Sequence, residues 1–213
     1  MKVYISLLIG FASLNAQTTS LPKNSPISVL SSIKTIETVD LNELTTFDPK
    51  WVDSLSLSLP CYEVPVPKRT MRLPNAPRNY RNGTHRGLDF FANWGTPVRS
   101  VAEGVVVRSD LHYEEVPADF RENLLKATTK VGHTPSDIFN SVLLGKSVFL
   151  DHGFDLIPGF RTISIYAHLS HIEKEIVPGA KVKRGELLGK SGNTGLRESP
   201  IGSKAGSHLH WEM

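Results

Sequence analysis

Residues 162–169 have the sequence Thr-Ile-Ser-Ile-Tyr-Ala-His-Leu, in which apolar and polar side chains alternate. Successive side chains of an extended strand point to opposite faces of the sheet. One face of this run carries Ile163, Ile165, Ala167 and Leu169, and the other carries Thr162, Ser164, Tyr166 and His168. The stretch therefore predicts a strand with an aliphatic face and a polar face, and the polar face ends in an imidazole.

Short apolar runs of the same kind continue on both sides of this strand. Gly104–Val107 and Ser147–Leu150 are separated from their neighbours by glycine-containing segments, and Pro178-Gly179 has the residues of a type II turn. No internal repeat is visible. From Tyr80 onward, the sequence predicts a mainly β fold, a compact antiparallel sheet core in which each strand buries one face.

Residues 111–145 interrupt this pattern. Phe120, Leu124 and Leu125 have helical spacing within 119–128. The sequence Thr-Pro-Ser-Asp at 134–137 offers a capping hydroxyl and a proline in the first turn, both typical of a helix start. We predict a two-helix insertion between strands, which is either a wall or lid of a binding groove or structural padding.

The N-terminus has the pattern of a secretory signal peptide over residues 1–16. Lys2 supplies the positive charge, a short apolar run follows, and Ala16 offers a small residue for cleavage. The run is shorter than a comfortable membrane span, although a short anchor or a buried strand are the alternatives. Cys61 is the only cysteine, so an intrachain disulfide is excluded, which fits a bacterial envelope protein. We expect export to the periplasm or the cell exterior.

Residues 17–77 are polar and rich in proline, which favours an extended leader over a helix. The strict alternation of Ser and Leu over 54–59 predicts one strand. This leader is a segment that packs along the domain, a propeptide or a disordered linker. We place the main domain at 78–213. The net charge of +3 is mild, and no stretch concentrates Lys and Arg enough for a nucleic-acid partner.

Two pairs of polar residues predict a metal site. On an extended strand His208, His210 and Glu212 share one face, and His85 and Asp89 share a face if 86–88 is extended. Two imidazoles and one carboxylate suit a catalytic zinc ion and leave one coordination position open. His168 is then a candidate for proton transfer, together with whichever of His208 and His210 is not a ligand. An isolated H-x-x-x-D pair, by contrast, is commonly structural.

Six motifs occur in the order found in one family: GTHRGLDF at 83–90, GVVV at 104–107, DHG at 151–153, YAHLS at 166–170, GKSGNTG at 189–195 and HLHWE at 208–212. Together they resemble the lysostaphin-type (LytM-type) zinc endopeptidases over roughly 80–213. The resemblance implies that His85, Asp89 and His210 bind one zinc ion and that His168 and His208 are the catalytic imidazoles. It also implies that Tyr166 and the turn holding Ser191 and Asn193 border the substrate groove.

The same resemblance implies a secreted endopeptidase that cleaves peptides of bacterial peptidoglycan. Residues 111–145 and 196–207 are longer than the corresponding family segments, and the chain stops at Met213, where family members normally continue, so we expect a fragment. A non-catalytic wall-binding module, or an activator of another hydrolase, is the main alternative. A lipoyl or biotinyl carrier is a third hypothesis, but no lysine is flanked by Met or Asp at a hairpin tip.

Overall fold

A computed structural model describes residues 47–213, and strands dominate it. The strands are β1 (Pro77–Arg78), β2 (Gly83–Thr84), β3 (Leu88–Phe90), β4 (Pro97–Arg99), β5 (Gly104–Ser109), β6 (Val148–Asp151), β7 (Ile163–Ala167), β8 (Leu169–Ile172), β9 (Lys181–Val182), β10 (Leu187–Ser191) and β11 (Leu209–Glu212). The helices are α1 (Lys50–Asp53), α2 (Ala118–Val131) and α3 (Ser136–Ile138). The predicted mainly β fold is confirmed.

The strands form a six-stranded sheet in the order β3-β11-β7-β6-β5-β9, a three-stranded sheet β4-β10-β8, and the small β1-β2 hairpin. All the pairings are antiparallel. In the large sheet, β11 lies between β3 and β7, and its His210 stands opposite Asp89 on one side and Ala167 on the other. This register brings residues from three distant parts of the sequence to one place.

The core packs side chains of both larger sheets against one another, including Val98 and Leu188 from the smaller sheet and Val106 and Leu150 from the larger one. The alternation predicted for β7 is present, but its polar face is the more deeply buried. Ser164 and Tyr166 are fully buried, whereas 39% of Ile163 is exposed. The polar side chains can be buried because the two hydroxyls are hydrogen-bonded to each other at 3.2 Å.

Residues 111–145 contain the two predicted helical segments, because α3 continues as a π-helical turn over Phe139–Leu143. The apolar residues of this insertion form a second cluster with Ala167 of β7: Leu125, Phe139, Leu143 and Leu144. The predicted helix cap is wrong. The Thr134 hydroxyl donates to the carbonyl of Arg81 at 2.6 Å instead, and no side chain caps α3.

The described part of the leader contains α1 and a 3₁₀ turn at Thr70–Arg72. The strand predicted over 54–59 is absent there. The backbone N–H of Ser58 donates to the carbonyl of Val101, and the N–H of Arg99 in β4 donates to the carbonyl of Pro60, but the alternating segment does not become a strand of any described sheet. Cys61 is nevertheless fully buried in the main core, and Leu57 packs against that core.

The limits predicted from the sequence for the leader and the main domain stay predictions. The signal peptide predicted over 1–16 lies outside the described residues. None of the helices described in 47–213 combines the length and the apolar character that a bilayer crossing requires.

Candidate active site

The site begins where the segment before β3 crosses the end of β11. Gly87 makes this close approach possible, because a β-carbon at that position would lie 2.2 Å from the carbonyl oxygen of Trp211. His85 therefore reaches the same point as Asp89 of β3 and His210 of β11. The short contact explains why glycine stands between the first histidine and the aspartate.

Three side-chain atoms converge at this point. The distances are 2.8 Å from His85 Nε2 to Asp89 Oδ1, 2.8 Å from His210 Nδ1 to the same oxygen, and 3.0 Å between the two nitrogens. Both imidazoles are buried. These three residues can offer ligand atoms that all lie within 4.8 Å of one another.

The outer nitrogen of each imidazole fixes its tautomer. His85 Nδ1 lies 2.8 Å from the carbonyl oxygen of Leu73, and His210 Nε2 lies 2.8 Å from the Glu212 carboxylate. Because these oxygens only accept, the outer nitrogens carry the hydrogens, and the inner nitrogens of the neutral rings present lone pairs. Two lone pairs and a carboxylate oxygen about 3 Å apart repel one another unless a cation lies among them. The donor set thus fits a divalent metal with nitrogen and oxygen ligands.

Asp89 stays ionised in this setting. Burial favours a higher pKa for its carboxyl, but without a metal the adjoining imidazoles of His210 and His85 outweigh burial and lower the pKa below its usual value. The second oxygen, Oδ2, is 3.3 Å from a guanidinium nitrogen of Arg78, which also donates to the carbonyl of Met71. Arg78 therefore holds the carboxylate in its orientation.

His168 and His208 stand beside this cluster with their rings 4.7 Å apart, and the His168 ring is 5.7 Å from that of His210. Each uses Nδ1 to donate to a backbone carbonyl, that of Thr194 at 2.8 Å and that of Gly206 at 2.7 Å. The Nε2 atoms are then the unprotonated ones, and that of His208 is 3.6 Å from Asp89 Oδ1. Both rings are oriented as proton acceptors next to the three converging atoms.

The protonation of these histidines follows from their surroundings. Burial lowers the pKa of His168 well below its ordinary value, and the neighbouring His208 adds to the effect. Burial also lowers the pKa of His208, although Asp89 opposes it. In the absence of a metal the pKa of His210 is raised: burial works against this, but the carboxylates of Asp89 and Glu212 prevail, so a metal ion has to displace the proton on Nδ1 in order to bind. His168 and His208 are therefore neutral near pH 7 and able to accept a proton.

His168 adopts a left-handed backbone conformation with φ of 60°, which is costly for a residue with a side chain. Its N–H donates to the carbonyl of Leu144 at 2.9 Å, and the N–H of Leu169 donates to that of Lys146. The Thr194 hydroxyl accepts from the N–H of Lys146 and donates to the carbonyl of Leu169. The end of the insertion and the glycine turn thus hold the strained residue in place.

All five of these residues line one cavity of about 120 Å³. The rest of its wall comes from three arginines and from the insertion, among other residues: Arg78, Arg81, Arg121, Phe139, Leu143 and Leu144. Residues 111–145 therefore contribute both to the cavity wall and to the packing against β7, so the structure does not choose between the two roles left open for them.

The residues predicted to border the groove lie elsewhere. Tyr166 is fully buried, and its hydroxyl accepts from the N–H of Val101. Ser191 is also fully buried and bonds the backbone of Asn93. Asn193 donates to the carbonyls of Ser203 and Ala205. None of the three lines the cavity, because the polar faces of their strands and turns point into the protein.

Sequence reasoning assigned no role to two residues that contact the site. Glu212 was placed on the strand face of His208 and His210, and H-x-H-x-E could also have indicated that its carboxylate contacts an imidazole. Arg78 carries no comparable signal, since it reaches Asp89 only through the β1-β2 hairpin.

Comparison with known proteins shows what this chain is similar to. The sequence profile described as "Peptidase family M23" matches residues 127–213. The glycyl-glycine endopeptidase ALE-1 of Staphylococcus capitis is 26% identical over 136 residues, which are 64% of this chain and 26% of that protein. An uncharacterized metalloprotease of Haemophilus influenzae is 30% identical over 129 residues, 61% of this chain and 18% of that protein.

Among solved structures, the catalytic domain of lysostaphin from Staphylococcus simulans is 21% identical, with a TM-score of 0.35, and the match covers 78% of this chain and 84% of that domain. The chain spans only 18 to 26% of the length of the curated relatives that it matches.

Proposed function

We propose that this chain, which carries a domain of peptidase family M23, is an exported zinc-dependent endopeptidase that hydrolyses peptide bonds of bacterial peptidoglycan. The observation that carries the proposal is the convergence of His85, Asp89 and His210, with lone pairs turned inward, beside two further imidazoles whose Nε2 atoms are unprotonated.

His85 Nε2, Asp89 Oδ1 and His210 Nδ1 would hold the zinc ion, about one per chain. Bound with three protein ligands, zinc lowers the pKa of water from 15.7 toward about 7 and polarises a carbonyl group. Leu73 and Glu212 fix the two ligand rings by accepting their outer N–H groups. A domain that orients its ligand rings in this way needs little reorganisation to bind the ion.

His168 and His208 supply the proton transfers. The unprotonated Nε2 of one ring takes up the proton of the attacking water, because both rings are neutral. Once protonated, that nitrogen can return the proton to the leaving amine. The other ring, also held by Nδ1, can stabilise negative charge on the carbonyl oxygen once its Nε2 has taken up a proton from solvent, because only an N–H donates to an oxyanion.

The substrate and the location rest on the relatives. ALE-1 is named a glycyl-glycine endopeptidase, and the resemblance to lysostaphin-type enzymes implies wall peptides as substrates. Export is consistent with the signal pattern over 1–16. The alternative of a non-catalytic wall module is disfavoured because such modules typically lack one or more of these side chains, and all five are present here.

Digestion of defined wall fragments tests the proposal. The purified chain, loaded with zinc, is incubated with cross-linked peptidoglycan fragments, and mass spectrometry identifies new amino and carboxyl termini. We expect cleavage at one type of peptide bond, its loss on chelation, and its return with zinc. A zinc-loaded, folded chain that releases no new termini from any wall fragment would contradict the proposal and favour the wall-binding alternative.

A further inference from the structure

Arg121 of α2, one of the three arginines of the cavity wall, makes a single side-chain hydrogen bond within residues 47–213. The residue is 91% buried (9% of its surface is exposed), yet only Nε has a partner: it donates to the carbonyl of Gly195 at 2.8 Å. Among the described residues, neither terminal nitrogen has a hydrogen-bond acceptor or a carboxylate within ion-pair distance. A buried cation without a counter-charge is energetically costly.

The other two arginines of the wall are engaged with the protein. Arg81 donates through both terminal nitrogens, to the Thr134 hydroxyl and to the carbonyl of Thr84. Arg78 uses one terminal nitrogen for Asp89 and the carbonyl of Met71, and its other terminal nitrogen is buried without a hydrogen-bond partner in the described part of the chain. Arg121 is therefore the wall arginine with both terminal nitrogens available to a molecule that enters the cavity.

The nearest acidic groups do not neutralise Arg121. The Glu115 carboxylate accepts from the Tyr113 hydroxyl at 2.8 Å and from the N–H of Gly195 at 2.9 Å. The Glu198 carboxylate raises the pKa of Arg121 by electrostatic attraction, but it lies beyond ion-pair distance. Burial lowers the pKa of the Arg121 guanidinium more strongly than these acids raise it, as expected of a cation that lacks a partner.

The position of Arg121 between two cavities indicates what its guanidinium binds. Arg121 lines the cavity of the candidate site together with His168, His208 and His210. It also lines a neighbouring cavity between α2 and the segment 196–201, and Tyr80 and Leu196 line both. A peptide that extends from the site along α2 would pass the free end of the guanidinium. A planar guanidinium suits a carboxylate, which it binds through two parallel hydrogen bonds.

We propose that Arg121 is a specificity-determining residue that binds a carboxylate of the substrate peptide beside the scissile bond, so that the preferred substrates are acidic peptides. The inference deepens the proposed function and rests on it for a peptide being the substrate. A carboxylate in this position satisfies the terminal nitrogens of Arg121 and aligns the peptide past the imidazoles. Loops outside the common core, 111–145 and 196–207, then set the substrate class.

The test is binding of capped peptides to the zinc-free protein, which does not depend on turnover. The probes are four acetylated and amidated tetrapeptides of alanine, each with one Glu at a different position, and the four matching Gln peptides. NMR titration gives the dissociation constants. We expect at least one Glu peptide to bind about tenfold more tightly than its Gln partner, the size of one charge-assisted pair.

Variants assign that preference to Arg121. Arg121→Gln should abolish it, whereas Lys130→Gln should retain it, because Lys130 is an exposed lysine of the same helix that lines neither cavity. If Arg121→Gln does not fold, Arg121→Lys replaces it, and its single ammonium should lower the preference at least about threefold.

The inference is overturned if no Glu peptide of the wild-type protein binds more tightly than its Gln partner, or if the preference survives unchanged in the Arg121 variant. Either result leaves the proposed hydrolysis untouched. Conversely, a chain that cleaves no peptide but retains the Arg121-dependent preference would refute the proposed hydrolysis and leave the inference about Arg121 standing.

Discussion

Two clusters of polar side chains lie along β7, and their histidines are bonded in opposite ways. On one side, His152 uses both ring nitrogens, Nδ1 to donate to the carbonyl of Glu103 and Nε2 to accept from the Ser164 hydroxyl at 2.7 Å. On the other side, His168 donates from Nδ1 to the carbonyl of Thr194, and its Nε2 has no protein partner among the described residues and faces the cavity. Both rings are buried, so burial alone does not distinguish them.

The difference teaches how to separate a structural histidine from a reactive one. A ring with two protein partners can neither take up a proton nor bind a metal without breaking a bond. A ring with one partner has a fixed tautomer and a free lone pair. The cluster around His152 therefore stabilises the fold, and the cluster around His168 takes part in the proposed reaction. Substitutions on both sides of β7 test this distinction between structural and reactive histidines.

The largest effect is expected from His168→Ala. Because the free Nε2 is the proposed proton acceptor, kcat for wall-peptide cleavage should fall about 10²- to 10⁴-fold, while the zinc content stays at the wild-type level. Steady-state kinetics and metal analysis of the same preparation measure both. His171→Ala is the matched control, since its side chain is 55% exposed on β8. Full activity of the His168 variant would remove this residue from the mechanism.

Glu212→Gln tests the carboxylate that orients His210. The neutral amide weakens the bond to Nε2–H, so the imidazole becomes a poorer ligand, and the dissociation constant for zinc should rise about 10- to 100-fold. Competition with a chelator of known affinity measures the constant. Glu122→Gln, at an exposed site on α2, should change nothing. An unchanged zinc affinity in the Glu212 variant would mean that the bond is irrelevant to metal binding.

His152→Ala tests the structural cluster. The change leaves Ser164 and the carbonyl of Glu103 without their partner, so the free energy of unfolding should fall by about 1 to 3 kcal/mol. Denaturant unfolding measures the loss. The folded variant should keep its zinc and its kcat. A large loss of kcat at full stability would place His152 in the chemistry and break the comparison.

Cys61 offers a smaller, pH-dependent test of the buried side. Burial raises the pKa of its thiol from 9.0 to about 12. Between these values the unfolded chain loses the thiol proton and the folded chain keeps it, so stability is full below pH 9 and falls as the pH rises. The loss approaches about 1.4 kcal/mol per pH unit. In Cys61→Ala this component should vanish, which denaturant unfolding at pH 8 and pH 10.5 would show as a flatter dependence.

Much of the site's local pattern could be predicted from sequence, because spacing determines which side chains share a face. H-x-H on a strand, and His85 four residues before Asp89, indicated the pairs that the structure brings together. The partners that fix their tautomers could not be found in this way. The carbonyls of Leu73 and Thr194 belong to backbone whose position depends on turns and on the packing of distant segments.

The errors have the same origin. Alternation correctly gave the two faces of β7 but not which face meets the core, and Tyr166, which the family resemblance implied at the groove, is fully buried. The Ser-Leu alternation over 54–59 satisfies the pattern of a strand, but within 47–213 its only backbone–backbone hydrogen bond to a distant segment is that from Ser58 to Val101, and the N–H of Leu57 donates to the carbonyl of Leu55 instead. The spacing of residues in the sequence does not indicate Arg121, because its proposed role depends on how an inserted helix packs against the glycine turn.

The most direct measurement is the metal content of three purified proteins by inductively coupled plasma mass spectrometry. We predict about one zinc per chain in the wild type and in His152→Ala, and a small fraction of that in Asp89→Ala, because the three converging donor atoms form the site. Equal zinc in Asp89→Ala and the wild type, or none in a folded wild-type chain supplied with zinc, would contradict the account.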